Sequence, residues 1–237
     1  RVLFRSVVEP SMLLSGLREK LNRYENYSWH PNTEIVKIEE LSYGYCLCGD
    51  NHTNFEVDRF VLAPGINASG FLKEFMSELP LRQVRIQMGR TTPVMPNLNI
   101  SVADADSMRY YPGFALLPLS DLPSQQPEVA ALKMQLLLAP RLDGTLTIGD
   151  THEYEFPFTH EIGETPFKHL KGVIENFLGK HILIDKRWDG VYSQVTNEEI
   201  YLRREILPGS YLVTGAGGRG NTLSPAIAEE TINLWKK

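Results

Sequence analysis

Four glycines near the end of the chain have the spacing of a ligand-binding turn. Gly215, Gly217 and Gly220 match the pattern G-x-G-x-x-G, and Gly218 adds a fourth glycine inside it. Glycine lets the backbone approach a ligand closely, and the free N–H groups at a helix start bind anionic oxygens. The pattern therefore favours a ligand contact, and a tight strand-to-helix turn without a ligand stays the alternative.

The motif is only half of a dinucleotide-binding unit. The complete fingerprint needs a second strand and an acidic residue about 20 positions after the glycines. Here one predicted helix, over residues 225–235, follows the motif, and the sequence ends at Lys237. The sequence thus predicts a ligand contact at this turn but not a self-contained nucleotide-binding fold.

Two short strands must position the glycine turns. Residues 59–63 form an apolar run that ends in Pro64-Gly65, and residues 211–213 form a second run that leads to Gly215. Such runs are typical of buried parallel strands, so we expect the two to lie in one sheet of a molecule with two sheet systems. A helix is predicted after the first turn, over residues 71–79.

The middle of the chain is predicted to be mostly β-structure, preceded by one helix. An apolar stripe at helical spacing begins after Ser11, a residue type that caps helices. Alternating and β-branched runs then predict strands between residues 34 and 57. The strands predicted further along are residues 81–88, 108–117, 130–138 and 145–148.

A second long helix is predicted near residue 165. Thr165 and Pro166 match the preference for a Ser/Thr cap followed by proline at the first helical position, and Gly179 marks the end. Its side chains at helical spacing are expected to face a hydrophobic core. They are Phe167, Leu170, Val173, Ile174, Phe177 and Leu178.

Four motifs occur in an order that resembles a known family. They are the Ala63-Pro64-Gly65 turn, the run 149–152 (Gly-Asp-Thr-His), the run 188–192 and the glycine-rich tail 215–224. Together they resemble the D-amino-acid-oxidase-like family of FAD-dependent oxidoreductases, which includes glycine and sarcosine oxidases. The resemblance implies a mixed α/β (α+β) fold, in which a partial FAD-binding Rossmann-like domain carries an inserted, mainly antiparallel β-sheet substrate domain.

The same resemblance implies a division of the chain into three segments. Residues 1–79 would be the later part of the FAD-binding domain, residues 80–187 the substrate domain, and residues 188–237 the closing strand and helix of the FAD-binding domain. Family members begin with a strand, a G-x-G-x-x-G turn and a helix that hold the ADP half of FAD. The sequence opens at Arg1 without such a unit, so we expect this N-terminal nucleotide-binding part to be missing from it.

The resemblance also implies where the cofactor, FAD, is held. In the family the last turn and helix start face the flavin ring, where their N–H groups stabilise negative charge on the reduced flavin. The implied reaction is oxidation of the C–N bond of a small amine or amino acid by hydride transfer to the flavin. Carried over to this sequence, the cofactor contacts are Gly65, Gly217, Gly218, Gly220, Asn221 and Thr222.

Substrate contacts are predicted less directly, and no catalytic residue is assigned. Amino-acid oxidases of the family often carry an Arg-Pro pair just after the glycine that matches Gly190, and that arginine binds the substrate carboxylate. Val191 and Tyr192 stand there instead, which makes Tyr192 a candidate pocket residue. Arg85 or Arg90 could replace the arginine, although a surface salt bridge is the commoner role for each.

His152 is a further candidate for the substrate pocket. It follows a predicted strand that ends at Gly149, although a hydrogen-bonded structural histidine explains it equally well. The other histidines are scattered, so no metal site is predicted. Cys46 and Cys48 alternate within a predicted strand and face the same side. No second cysteine pair completes a four-ligand site, so two packed thiols are expected.

Composition excludes several other classes of protein. The chain has 237 residues and a formal net charge of −5, which argues against a nucleic-acid partner. No apolar run approaches the roughly 20 residues of a membrane-spanning helix, so no membrane partner is expected. Two cysteines are too few for a disulfide scaffold, and a cytoplasmic location is expected.

Two other functions stay open beside the flavoenzyme. One is a truncated, non-catalytic remnant that binds no flavin. The other is a half-enzyme completed by a partner chain that carries the missing nucleotide-binding unit. The expected partners are thus a small-molecule amine or amino-acid substrate and either a second copy of the chain or such a partner.

Overall fold

The chain divides into two compact units. The computed structural model of the protein describes residues 8–94, 100–110, 114, 116 and 118–236. The central unit comprises Arg1–Glu9 and Val84–Val191, and the terminal unit comprises Pro10–Gln83 and Tyr192–Lys237. The terminal unit therefore contains both glycine turns.

The described part of the chain contains five α-helices and eleven strands. The helices are α1 (Pro10–Leu21), α2 (Leu72–Met76), α3 (Pro127–Ala131), α4 (Glu164–Leu178) and α5 (Gly220–Asn233). The strands are β1 (Ile35–Glu40), β2 (Tyr45–Gly49), β3 (Asn54–Val57), β4 (Val61–Leu62), β5 (Leu81–Thr91), β6 (Val102–Ala103), β7 (Leu137–Pro140), β8 (Leu146–Gly149), β9 (Ile184–Val195), β10 (Leu202–Leu207) and β11 (Ser210–Thr214). Within the described residues, no helix combines the length and the apolar character that crossing a bilayer requires.

The terminal unit contains two three-stranded sheets. In one, β1, β2 and β3 are antiparallel neighbours in chain order. In the other, β11 lies between β10 and β4 and runs parallel to β4, with Tyr211 opposite Val61 and Leu212 opposite Leu62. The predicted parallel pairing of the two strands before the glycine turns is therefore confirmed. The described part of the chain holds three sheets, however, and not two.

The core of the terminal unit lies where α2 packs against strand residues. Leu72 and Met76 are four residues apart and so share one face of α2. That face packs with Val195, Leu202 and Leu212 in one buried cluster. The predicted helix over 71–79 is confirmed in type but is shorter than expected.

The central unit is built on a five-stranded sheet with the order β6-β7-β8-β5-β9. Helix α4 supplies part of its core, since Phe167, Leu170 and Ile174 are at most 1% exposed. Burial of a side chain of this size stabilises a fold by roughly 1.5–3 kcal/mol. The helix begins at Glu164 after an N-cap at Gly163, so the expected Thr165 cap is wrong, and it ends as expected at Gly179, whose φ is +67°.

The predicted core face of α4 is too wide. Phe177 is 56% exposed, although its spacing from Phe167 and Leu170 suggested burial. An apolar residue at the margin of a helical stripe is buried only if a neighbouring element reaches it. The sequence pattern alone does not contain that information.

Two predicted strands of the central unit are partly replaced by short helices. Residues 105–109 form a 3₁₀ turn, because the Asp104 side chain accepts a hydrogen bond from the Ser107 N–H and caps it. Part of the predicted strand 108–117 lies outside the described residues. The strand expected over 130–138 is wrong at its start, since Pro127 begins α3 at a position that favours proline.

Helix α1 also departs from expectation. Its first residue is Pro10, which suits proline because no N–H is needed there, so Ser11 lies inside the helix and is not its cap. The predicted apolar stripe is present, but no residue of α1 is buried. Met12 and Leu17 are 62% and 51% exposed. The helix therefore adds little buried apolar surface to the terminal unit.

Candidate functional site

Two glycine turns lie side by side in the terminal unit. They follow β4 and β11, which are parallel neighbours, so both turns leave the same edge of the sheet. The Thr214 hydroxyl, at the end of β11, donates a 2.8 Å hydrogen bond to the carbonyl of Gly65 and joins the turns. Ligands of open α/β sheets bind outside the carboxyl ends of parallel strands. This edge is therefore the candidate functional site.

Two of the glycines in the second turn are required by the fold itself. A Cβ on Gly215 would lie 2.7 Å from Leu81 Cδ2 and 2.9 Å from Val195 Cγ1, and the φ of Gly215 is +75°. Gly217 has a φ of +61°, and a Cβ there would lie 3.4 Å from the side chain of Gln194. Both positions suit glycine without any reference to a ligand.

The other two glycines of this turn have no such reason within the described structure. Neither Gly218 nor Gly220 has a positive φ. The nearest atom to a Cβ on Gly218 is the Tyr192 hydroxyl oxygen at 3.9 Å, and the nearest to one on Gly220 is Ala216 Cβ at 3.7 Å. A side chain at Gly218 would be accommodated, so its absence leaves backbone open to an approaching group.

The turn on the opposite strand is open as well. Gly65 has a φ of +63°, which favours glycine, and no atom lies within 4 Å of the position its Cβ would take. Beside it is a cavity of about 470 Å³, to which the end of β4 contributes. Its lining comes from residues 33–36, 61–64, 67 and 69–72. The loop after β4 therefore borders space that could hold part of a ligand.

Helix α5 starts directly at the second turn and presents the positive end of its dipole there. Residues Gly217–Arg219 form a 3₁₀ turn that continues into α5 at Gly220. No side chain caps the start of α5, and its first turn contains no acidic residue. Asn221 and Thr222 in that first turn are exposed. An anionic group is stabilised at such a helix start.

Gln194 and Thr214 are site residues that the sequence did not reveal. Arg82 Nε donates a 2.9 Å hydrogen bond to Gln194 Oε1, and Gln194 forms an isolated backbone bridge with Ala216 in the second turn. Gln194 thus supports the turn from β9. Thr214 directly precedes the glycine motif, which is the one signal that could have indicated its role.

Sequence comparison assigns the chain to a family. The model of a family described as FAD dependent oxidoreductase matches residues 3–234. The chain belongs to this family. The resemblance to D-amino-acid-oxidase-like proteins is thereby confirmed. No curated protein sequence matches the chain.

Solved structures show the same fold. Glycine oxidase from Geobacillus kaustophilus is 17% identical, with a TM-score of 0.57 over 85% of this chain and 48% of that one. Glycine oxidase from Bacillus cereus ATCC 14579 is 16% identical, with a TM-score of 0.59 and the same coverages. L-proline dehydrogenase from P. horikoshii is 16% identical, with a TM-score of 0.62 over 85% of this chain and 49% of that one. The chain spans about half the length of these proteins.

The candidate substrate residues are distributed over both units. Tyr192 belongs to the terminal unit, with its hydroxyl near Gly218. Arg90 and His152 belong to the central unit. Arg90 Nη2 lies 3.7 Å from an Asp185 carboxylate oxygen, and its buried Nε has no hydrogen-bond partner among the described residues. Arg90 therefore retains a free donor.

His152 is held by its surroundings. Its Nδ1 lies 3.3 Å from the carbonyl oxygen of Lys133, and its ring stacks on Tyr110 with a centroid separation of 5.9 Å. The carboxylate of Asp150 lies 4.0 Å from the same nitrogen. Asp150 accepts a 3.0 Å hydrogen bond from the Gln135 side-chain amide, and burial raises the pKa of its carboxyl group.

Arg85 is neither a surface ion pair nor available to a substrate. Its side chain is 3% exposed and donates 2.8 Å hydrogen bonds to the carboxylates of Glu153 and Asp189. A further donor reaches the carbonyl of Glu161 at 2.5 Å. The hydrogen bond from Arg85 holds the pKa of Asp189 below its ordinary value. The expectation of a surface salt bridge at Arg85 is therefore wrong, because β5 carries this side chain into the interior.

Asp150→Asn is expected to gain stability relative to the wild type as the pH rises from about 4 to 7. Because burial raises the pKa of Asp150, the folded protein binds this proton more tightly than the unfolded chain does. The resulting stability is complete below the unfolded pKa of about 3.9 and is lost as the pH rises through the folded pKa. Asparagine stays neutral and lacks this loss. Thermal midpoints of both proteins across that range measure the effect. A difference in midpoint between Asp150→Asn and the wild type that does not change with pH would contradict the prediction.

Proposed function

We propose that the protein oxidises the C–N bond of a small amine or amino acid, with FAD as the hydride acceptor. Family membership supports the cofactor. Among the proteins with the same fold, two are glycine oxidases and one is an L-proline dehydrogenase by name. The observation that carries the proposal is the pair of joined, open glycine turns at the ends of β4 and β11.

The residues that would hold FAD lie on these two turns. Gly65 would contact it from the first turn, and the segment Gly217–Thr222 from the second. The open backbone at Gly218 permits close approach, and the uncapped start of α5 stabilises negative charge. When bound, FAD supplies the hydride acceptor. The task of this segment is to hold the acceptor in place and to favour its reduced, negatively charged form.

The substrate contacts are part of the same proposal. We propose that Tyr192, whose hydroxyl lies beside Gly218, lines the substrate pocket. Arg90 is the proposed partner of a substrate carboxylate, because its side chain is 24% exposed and its ion pair with Asp185 is long, at 3.7 Å. His152 is proposed as a polar pocket residue, held in one orientation by Lys133 and Tyr110. None of the three is assigned a proton-transfer step.

The division of labour along the chain is likewise proposed. Residues 1–79 and 188–237 would belong to the FAD-binding domain, and residues 80–187 to the substrate domain. Because the chain spans about half of the proteins with the same fold, we propose that further contacts to FAD come from sequence outside these 237 residues. That sequence would lie on the same polypeptide or on a partner chain. The two free cysteines fit the proposed cytoplasmic location.

Anaerobic reduction of the bound flavin tests this function. The protein is expressed from its complete reading frame and mixed with glycine, alanine, proline, N-methylglycine and simple amines, and loss of oxidised-flavin absorbance is followed. We expect at least one of these to reduce the flavin. Lactate and glycolate, which present a C–O bond on the carbon skeletons of alanine and glycine, are the matched controls and should not reduce it. Purified protein without flavin, or reduction by the hydroxy acids alone, would contradict the proposal, and the first result would favour the non-catalytic remnant.

A further inference from the structure

The antiparallel sheet of β1, β2 and β3 gathers polar side chains on one face. Directly opposite residues in antiparallel strands point to the same face. Cys46 on β2 is opposite Glu39 on β1 and opposite Glu56 on β3. Cys48 is two residues further along β2 and therefore shares this face. The register thus places two thiols and two carboxylates on one side of the sheet.

Three of these groups lie at the separations of metal ligands. The two sulfur atoms of Cys46 and Cys48 are 3.8 Å apart. A carboxylate oxygen of Glu39 lies within 4.8 Å of both sulfurs. Two thiolates bound at about 2.3 Å to one tetrahedral ion would be about 3.8 Å apart. A shared ion therefore requires no movement of the two sulfurs relative to each other.

A disulfide between these cysteines fits the geometry less well. Two residues of an antiparallel strand span about 6.8 Å, which is the upper limit of the Cα separation in disulfides. The sulfurs would also have to approach from 3.8 Å to bonding distance, which the extended strand opposes. An ion that fills the present gap leaves the hydrogen bonds of β2 to both neighbours intact.

We propose that Glu39, Cys46 and Cys48 form a binding site for a thiophilic divalent cation, with Zn²⁺ as its representative. On binding, two metal–sulfur bonds replace two S–H bonds and both protons pass to the solvent. The Glu39 carboxylate, which now accepts a 2.6 Å hydrogen bond from Lys37, supplies the third ligand, and a water molecule completes the tetrahedron. From the sequence alone, only the two cysteines could be recognised as neighbouring metal ligands. The register between β1 and β2 adds the third.

Competition with a chromophoric chelator tests the site. The protein expressed from its complete reading frame, with its flavin bound and with the thiols of Cys46 and Cys48 in the reduced state, is titrated with Zn²⁺ in the presence of the chelator. We expect one ion per chain in the wild type, and a loss of affinity of more than about 100-fold in Cys46→Ser and in Cys48→Ser, beyond the range for removing an outer-shell partner. Glu39→Gln should weaken binding by at least about 10-fold. Glu56→Gln, which removes the other carboxylate opposite Cys46, is the matched control and should bind like the wild type.

A second measurement requires no variant and so does not depend on how the substituted proteins fold. Stoichiometric Zn²⁺ should protect Cys46 and Cys48 of the wild type from alkylation by iodoacetamide, as read by mass spectrometry. Unchanged alkylation of both thiols overturns the proposal. Wild-type affinity in the double variant Cys46→Ser/Cys48→Ser overturns it as well, because the ion would then bind elsewhere.

Discussion

In the protein expressed from its complete reading frame, Gly218→Val is expected to remove FAD while the thermal midpoint of the apo-protein stays nearly unchanged. A Cβ at this position meets no atom closer than the Tyr192 hydroxyl at 3.9 Å, and Gly218 has no positive φ. The fold therefore accepts a side chain there, and in helical backbone valine is more favourable than glycine by less than about 1 kcal/mol. A bound flavin that approaches this backbone would instead collide with the two methyl groups.

Bound flavin per chain and the thermal midpoint without flavin are the two quantities to measure. Gly172→Val is the matched control, because Gly172 lies in α4 with no atom within 4 Å of its Cβ position. It should keep the flavin and show a similarly small change in midpoint. Gly215→Val should lower the midpoint of the apo-protein, since its Cβ would lie 2.7 Å from Leu81. Retained flavin together with a lowered midpoint in Gly218→Val would show that this glycine serves only the turn.

The glycine turns could be predicted because their signals are local. A short apolar run before Gly65 and another before Gly215 indicated strands that end in turns, and β4 and β11 are parallel neighbours. The expected burial holds for β11 but is wrong for β4, whose Val61 is 36% exposed. The end of α4 at Gly179 is similar, since a left-handed residue there needs only its own φ. Features that depend on one residue and its immediate neighbours are visible in a sequence.

Pairings between distant strands could not be predicted in the same way. The hydrogen bond from Thr214 to Gly65 joins residues far apart in the sequence. So does the support that Gln194 gives to the turn at Ala216. Glu39 reaches Cys46 only through the register of β1 against β2. Periodicity shows which residues share a face of one strand, but it does not determine which residue of another strand lies opposite.

Competing local signals explain the wrong strand predictions. The run 130–138 is rich in apolar residues, which suggested one buried strand, but Pro127 starts a helix just before it. Asp104 likewise caps a 3₁₀ turn where a strand was expected nearby. A short apolar run does not distinguish a buried helix from a buried strand, whereas a proline at a helix start or a capping aspartate just before the run favours the helix.

The largest expected loss of stability comes from Arg85 in the central unit. Its guanidinium group is 3% exposed and binds the carboxylates of Glu153 and Asp189, each at 2.8 Å. Both carboxylates have other partners. Gln87 donates to Glu153 at 2.9 Å, and His160 lies 2.7 Å from Asp189. If Arg85 is removed, Gln87 and His160 do not replace its charge. The carboxylates of Glu153 and Asp189 then remain close together as two negative charges that are only 21–22% exposed.

Arg85→Met is therefore expected to lower the free energy of unfolding by about 3 kcal/mol. This value is the lower end of the range for breaking a buried ion pair, and we choose it because water reaches both carboxylates. For a protein of this size the thermal midpoint should fall by roughly 6–12 °C. Lys37→Met is the matched control, since Lys37 pairs with Glu39 on the surface, where the two side chains are 64% and 46% exposed. That change should cost about 0–1 kcal/mol. Thermal and denaturant unfolding of both variants measure the difference, and equal losses would mean that the two carboxylates are solvated well enough to need no buried cation.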